Sequence, residues 1–228
     1  MADLLTPKPQ AIASYDYYDL AAGTGVKRYY GAAISGTTLN TTEYVLSDQI
    51  VYSGDITTTV SGALLGSASG NPRIQEIPFD LYYNMPQTIE GKGVVNLTVG
   101  VLGAAVDQSS IKVDTTAILR RIDTGGGITD LVSGSVHYQK TLPLGVQKSE
   151  VYALALDIPR TGMKKGETLR LAIDQHAMNM SDATGNRRYR LGFGNDPKDR
   201  NDTPAESKII VDDDTTMLVF DLPYSIRM

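Results

Sequence analysis

The feature that most constrains the fold of this chain is a long series of short β-type runs separated by turn residues. Runs rich in Val, Ile, Leu, Thr and Tyr recur about every 10 to 15 residues, with Gly, Asn, Asp and Pro between them. Helix-length segments with apolar residues at helical spacing do not intervene. The sequence therefore predicts an all-β protein and argues against alternating strand–helix units.

The predicted strands extend along most of the chain. They are Ser14–Tyr18, Lys27–Ala33, Tyr44–Tyr52, Ile56–Val60, Ile74–Tyr83, Gly93–Leu102, Ile111–Ile122, Gly134–Lys140, Val151–Ile158, Thr168–Asp174, Tyr189–Phe193, Ile209–Val211 and Met217–Leu222. Many short strands joined by turns favour a β-sandwich.

Strict alternation in the run at 151–158 assigns two faces to that strand. One face carries Val151, Ala153, Ala155 and Asp157, and the other carries Tyr152, Leu154, Leu156 and Ile158. A period of two is expected of a strand with one face on a core.

The chain has the length of one β-sandwich domain. Its 228 residues carry no interdomain linker that we recognise. Pro7 and Pro9 predict that residues 1–12 form an extended arm, and residues 13–228 are predicted to form one jelly-roll sandwich. Gly125–Gly127 is typical of a hairpin loop.

Composition excludes several classes of partner and chemistry. The chain has no cysteine, so disulfides, thiolate nucleophiles and most structural zinc sites are excluded. A net charge of −5 argues against nucleic acid as a partner. Apolar residues never form a membrane-length run, and the N-terminus lacks the pattern of a secretory signal, so neither a membrane nor an export route is expected.

The sequence shows no recognisable catalytic motif. His137 and His176 stand alone, without the spacing of a metal site. The string nearest to a nucleophile elbow, 66–70, has Ala68 where the serine is required. We therefore expect no enzyme activity and no cofactor, although carboxylates at 196–202 and 212–214 leave a structural calcium ion open.

The second half of the chain resembles a known domain. The strings KVDTTAILRRI at 112–122, KKGETLRL at 164–171 and MLVFDLP at 217–223 look like the galactose-binding-like jelly roll at the C-terminus of X-Pro dipeptidyl peptidase and cocaine-esterase-type hydrolases. The resemblance implies a jelly-roll fold over about residues 112–223. In those hydrolases the catalytic serine lies in a separate domain, and we expect no such domain in this chain.

The first half resembles virion structural proteins of tailed bacteriophages. The strings YDYYD at 15–19, GTG at 23–25 and FDLYYNMP at 79–86 carry this second resemblance. It implies a capsid decoration, or cement, protein, made in the host cytoplasm and located on the capsid surface of the virion. It also implies the major capsid protein as partner and a homotrimer as the assembled form.

A tyrosine cluster is the candidate partner-binding site. Its members are Tyr15, Tyr17, Tyr18, Tyr29 and Tyr30. Tyrosine combines apolar area with a hydroxyl that tolerates water, which suits protein interfaces. Two alternatives stay open at this point: a carbohydrate-binding jelly-roll module, free or on a tail fibre, and a hydrolase accessory domain encoded alone.

Overall fold

The computed structural model confirms the predicted fold class. It describes residues 24–35, 42–49, 56–60, 73–102, 109–142, 147–177, 188–193 and 218–225. All regular elements in these ranges are β-strands. The predicted arm at 1–12 and the predicted strands Ser14–Tyr18 and Ile209–Val211 lie outside the described residues.

Eleven strands make up the described structure. They are β1 (Thr24–Ser35), β2 (Thr42–Ser47), β3 (Ile56–Val60), β4 (Arg73–Tyr82), β5 (Gln87–Leu102), β6 (Ser109–Ile122), β7 (Ile128–Leu142), β8 (Gln147–Met163), β9 (Thr168–Ala177), β10 (Arg188–Phe193) and β11 (Val219–Ser225).

One clear difference from the predicted strands is at the start of β5. The sequence predicts a start at Gly93, whereas the strand begins at Gln87 and pairs there with Met163 of β8. The register shifts between Ile89 and Gly91, and Gly91 has a φ of +117°. This irregularity breaks the alternation on which sequence reasoning depends, because a bulge adds a residue to one strand only.

Strand pairing arranges the chain as two antiparallel groups. One group follows the order β7–β6–β9–β4, and the other follows β2–β1–β11–β5–β8, with β10 and β3 continuing beside β5. The groups are joined at one border by a single parallel pair, Val45 with Asp80. At the other border β7 approaches β8 closely, since a Cβ on Gly134 would lie 2.9 Å from the carbonyl oxygen of Ala155. The result is a nearly closed jelly-roll sandwich.

The core lies between the two groups. Phe79 and Leu171 from the first group and Phe220 and Leu156 from the second are fully buried. Of the two faces predicted for the run at 151–158, the one with Tyr152, Leu154, Leu156 and Ile158 is the inner face, buried at all but the half-buried Tyr152, and the other face is exposed. Each inner face is therefore the apolar face that period-two alternation indicates.

Candidate functional site

The predicted tyrosine cluster is divided between two environments, as far as the structure describes it. Tyr15, Tyr17 and Tyr18 lie outside the described residues. Tyr29 and Tyr30 are neighbours on β1, so their side chains lie on opposite faces of the sheet. The partner-binding role of these tyrosines stays a prediction.

Tyr29 belongs to the core. Only 4% of the residue is exposed. Its hydroxyl lies 2.7 Å from the hydroxyl of Tyr224, which lies 3.2 Å from that of Tyr83. Burial raises the pKa of Tyr83 and of Tyr224, so these hydroxyls keep their protons across the ordinary pH range.

Tyr30 lies on the outer face of the second group of strands. Cross-strand pairing places it beside Val219 of β11, then Asn96 of β5, then Ala153 of β8. Paired residues of adjacent strands share a face, so these four side chains form one row across the sheet. Tyr30 is half-buried within this row, and Ala153 is exposed.

A second row lies beside the first. It contains Arg28, Asp221, Val94 and Ala155. Arg28 donates two hydrogen bonds, of 2.7 and 2.9 Å, to the carboxylate of Asp221. The two charges in this row therefore satisfy each other through a bidentate pair.

These two rows, with the exposed Val151 at the end of β8, form what we call the apolar outer face. Its members are Arg28, Tyr30, Val94, Asn96, Val151, Ala153, Ala155, Val219 and Asp221. Val151 is 53% exposed. The face is flat, four strands wide and composed mostly of small apolar side chains.

The outer face of the other group of strands carries a charged row, which lies beside the apolar row of Pro78, Ala172 and Ile118. Pairing places Asp80, Arg170, Arg120 and Asp130 in one row across β4, β9, β6 and β7. Arg170 donates two hydrogen bonds of 2.7 Å to Asp80, and Arg120 donates one of 2.8 Å to Asp130. This charged ladder is typical of a face that stays in water, so the two outer faces of the sandwich differ in character.

A polar cleft opens at the end of the sandwich where the tyrosine hydroxyls meet. Its volume is about 440 Å³. Lys27 on β1 donates a 2.9 Å hydrogen bond to Asp48, and its ammonium lies 5.1 Å from the centre of the Tyr29 ring. Burial by itself lowers the pKa of Lys27, but the hydrogen bond to Asp48 and the contact with Tyr29 outweigh it and raise that pKa.

The two histidines each lie beside one carboxylate. His137 Nδ1 lies 2.5 Å from Asp114 across the β6–β7 pair, and His176 Nε2 lies 3.4 Å from Asp174. Within the described ranges no cluster of three or more His, Asp or Glu side chains is arranged to hold a metal ion. The acidic segments at 196–202 and 212–214 lie outside those ranges.

Among the described residues, no helix is long and apolar enough to cross a membrane.

Sequence reasoning missed the apolar outer face as a unit. It unites residues from four strands that are far apart in the chain, and their neighbourhood depends on the pairing of β1 with β11 and of β5 with β8. One local signal was present. The strand at 151–158 carries Val151, Ala153 and Ala155 on its exposed face, whereas an ordinary solvent-facing strand alternates apolar with polar residues.

Comparison with known proteins adds information on the fold. No protein-family model matches the chain, and no curated protein matches it. An α-amino acid ester hydrolase is similar in structure with a TM-score of 0.51 at 12% identity, over 87% of this chain and 36% of that protein. A CocE/NonD family hydrolase from Staphylococcus aureus has a TM-score of 0.49 at 10% identity, over 89% of this chain and 37% of the hydrolase.

The similarity to the α-amino acid ester hydrolase supports the assigned fold over 87% of this chain, which is more than the sequence resemblance covers. The chain spans little more than a third of the length of these hydrolases. A chain in the structure of infectious bursal disease virus, Gx strain, is also similar, but with a TM-score of only 0.27 at 9% identity, over 87% of this chain and 44% of that one. At these identities the similarity concerns the fold and not the activity.

Proposed function

We propose that this chain is a non-enzymatic structural protein of a tailed-phage virion, which decorates the capsid by docking its apolar outer face on the major capsid protein. The observation that carries the proposal is the contrast between the two outer faces of one sandwich. The face formed by β4, β9, β6 and β7 carries a row of ion pairs. The apolar outer face exposes Val151, Ala153 and Ala155 to water.

The composition of the apolar outer face is that of an interface centre. Interface centres are depleted of unpaired charge and enriched in Tyr and Arg. Tyr30 lies within the first row, and the charges of the two rows, Arg28 and Asp221, are paired with each other. The exposed Lys92 and Asp157, which face each other across β5 and β8, form the next row and bound the face. A partner that covers this face therefore leaves no described charge of the face without a counter-charge.

The size of the face also indicates how it would be used. Four strands over three to five residues cover roughly 200 to 300 Å², about a third of the approximately 800 Å² that each partner contributes to a standard interface. One such contact is weak by itself. Attachment through several contacts, as in a symmetric oligomer on a symmetric shell, turns weak contacts into stable binding, which supports the proposal of a homotrimer.

The test is co-sedimentation of the purified protein with undecorated capsids of the phage that encodes it. Ala153→Lys places a charge at the centre of the apolar outer face and is expected to weaken attachment at least about tenfold, because a buried charge without a partner is costly. The matched control is Thr124→Lys, which adds the same charge to an exposed residue of the turn between β6 and β7, away from the apolar outer face.

Both variants are first checked for folding by circular dichroism and thermal unfolding. Equal attachment of the Ala153→Lys variant and the unchanged protein would show that this face does not dock. Analytical ultracentrifugation of the free protein tests the proposed trimer separately. A monomer at every concentration would contradict that part of the proposal.

A further inference from the structure

A second cleft lies beside the polar cleft at the same end of the sandwich. Its volume is about 540 Å³, which falls within the roughly 300 to 1,000 Å³ typical of small-ligand sites. The starts of β1 and β5 and the ends of β8 and β11 meet around it, because it is lined by Lys27, Gln87, Met163 and Ser225. We name it the lysine cleft.

The charged side chains that line the lysine cleft are both cations. They are Lys27 and Lys164, and no described carboxylate lines the cleft with them. Asp48 lies 2.9 Å from the ammonium of Lys27 but lines the neighbouring polar cleft instead. An ammonium has three N–H donors, so the bond to Asp48 leaves Lys27 able to donate to a ligand as well. The lysine cleft is therefore a cationic site on a chain whose net charge is −5.

The second cation, Lys164, is exposed on the turn between β8 and β9. Its backbone N–H donates a 2.8 Å hydrogen bond to the carboxylate of Glu167. That carboxylate also accepts two hydrogen bonds from the guanidinium of Arg121, and the first of these effects on the pKa of Glu167 is the bond from Arg121, which lowers it. The ammonium of Lys164 is therefore not needed to neutralise Glu167, while the turn that carries it is held in place.

The uncharged polar groups of the lysine cleft can also donate hydrogen bonds. Thr88 and Ser225 contribute hydroxyls, and Gln87 contributes a side-chain amide. The two ammoniums can only donate, and the group that can only accept, a carboxylate, is absent from the described lining. A ligand with several acceptor oxygens matches this set. Bonds from an ammonium to an anionic oxygen are charge-assisted and roughly twice as strong as neutral ones.

The size of the lysine cleft favours an anion that carries an organic body. A single inorganic ion would leave most of its 540 Å³ to water. The exposed Pro86 and the half-buried ring of Tyr224 line the cleft, and the methylene stems of the two lysines add further apolar surface. Such walls, with a few polar groups between them, are typical of sites for small organic ligands.

We propose that the lysine cleft binds a small organic anion. The carboxylate or phosphate group of the ligand lies between the ammoniums of Lys27 and Lys164, and its apolar body packs on Pro86 and the Tyr224 ring. None of these four residues belongs to the apolar outer face, so the proposal does not depend on the docking of that face.

The experiment is a titration of the isotope-labelled full chain, followed through its amide chemical shifts in NMR. The probes are benzoate and phenyl phosphate, with benzamide as the neutral match of benzoate and inorganic phosphate as the anion without a body. We expect saturable binding of benzoate or phenyl phosphate, at least about tenfold weaker binding of inorganic phosphate, and none of benzamide. Absence of saturable binding for both organic anions, or equal binding of benzamide and benzoate, would overturn the proposal.

Two neighbouring lysines locate the site. Lys164→Gln removes one of the two cations and is expected to weaken binding at least about tenfold, which corresponds to loss of one charge-assisted contact. The matched control is Lys165→Gln, which removes the same charge from the next exposed residue, outside the lining of the cleft, and is expected to bind within about threefold of the unchanged protein. Circular dichroism checks the folding of both variants.

Unaltered affinity in Lys164→Gln would place the anion elsewhere, and equal losses in the two variants would show that binding follows overall charge. Either result contradicts the proposal. Neither variant is expected to alter co-sedimentation with capsids, so failure of the lysine cleft and failure of the docking face are distinguishable.

Discussion

Gly31 is the position where a single atom matters most to the packing of the core. A Cβ at this residue would lie 2.9 Å from Cε1 of Phe79 and 3.0 Å from Cδ2 of Leu218. Its N–H donates a 2.9 Å hydrogen bond to the carbonyl of Leu218. Strand β1 can therefore lie this close to Phe79 and Leu218 only because residue 31 has no side chain.

Replacing Gly31 by alanine tests this close approach. We expect Gly31→Ala to lower the free energy of unfolding by about 1 to 3 kcal/mol, because the core must shift to admit the methyl group. The matched control is Gly162→Ala, where no atom lies within 4 Å of the added Cβ. Urea unfolding followed by circular dichroism measures both variants, and equal losses of stability would contradict the packing argument.

Tyr29 and Tyr30 are adjacent in the chain, but Tyr29 packs in the core and Tyr30 lies on the outer face of the sheet. Their alternation follows from strand geometry and is readable from the sequence. Which of the two faces the core is decided by β11, because Phe220 pairs with Tyr29 on the inner side and Val219 pairs with Tyr30 on the outer side.

At the scale of elements, the turn between β8 and β9 ties several strands together. Glu167 is 3% exposed and accepts hydrogen bonds from both the guanidinium of Arg121 on β6 and the N–H of Lys164. Its carbonyl accepts from Tyr83 after β4. The hydrogen bond from Arg121 lowers the pKa of Glu167 against the opposing effect of burial.

These hydrogen bonds of Glu167, which we call the Glu167 clamp, predict that the stability of the protein depends on pH. Since the pKa of Glu167 is lower in the folded state, the clamp stabilises fully above the unfolded pKa, about 4.3. That contribution is lost as the pH falls through the folded value. We expect Glu167→Gln to cost about 1 to 3 kcal/mol at pH 7, and the difference from the unchanged protein to narrow as the pH falls through the lowered pKa of Glu167.

Urea unfolding at pH 7, 4 and 3 measures the effect of the Glu167 variant. The matched control is Glu90→Gln, because Glu90 pairs with Arg160 at 3.4 Å while both side chains are largely exposed. Exposed pairs contribute at most about 1 kcal/mol. A constant difference between Glu167→Gln and the unchanged protein at all three pH values would argue against a titrating clamp.

The hairpin between β6 and β7 shows an element that local sequence determines well. The predicted loop Gly125–Gly127 is confirmed by the pairing of Ile122 with Ile128. Asp123 accepts 2.8 Å hydrogen bonds from the N–H groups of Gly125 and Gly127, and Gly126 has a φ of +85°. The hydrogen bonds of this turn join residues within 123–127, so the local sequence is sufficient to favour it.

At the scale of the whole molecule, the asymmetry of the two outer faces predicts how attachment responds to salt. Docking through the apolar outer face depends on removal of apolar surface from water, which salt does not screen. Ion pairs between exposed groups weaken as the Debye length falls from about 10 Å to about 3 Å between 0.1 and 1 M salt. We therefore expect attachment to capsids to survive about 1 M sodium chloride.

Co-sedimentation across a series of salt concentrations measures this response. Release of the protein from capsids by high salt would indicate that charged groups hold it, and would redirect attention to the ladder of Arg120 and Arg170. The Ala153→Lys variant provides the comparison, because any attachment it retains through charges should be lost as salt rises.

The sequence by itself determined the features that depend on near neighbours. Strand β3 was predicted with its observed ends, the two faces of 151–158 were assigned correctly, and the β6–β7 turn was located. Alternation, turn residues and the φ preferences of glycine depend on a few consecutive residues, so a short stretch of sequence is enough to recognise them.

Tertiary structure alone decided which distant strands became neighbours. Arg28 and Asp221 are 193 residues apart in the chain, and Tyr29 and Tyr224 are 195 apart, yet each pair is in hydrogen-bond contact. Many strand orders bury the same apolar faces, and the choice among them depends on the packing of the complete core. The apolar outer face and the polar cleft at the end of the sandwich exist only once that choice is made, because each is built from strands that local patterns do not bring together.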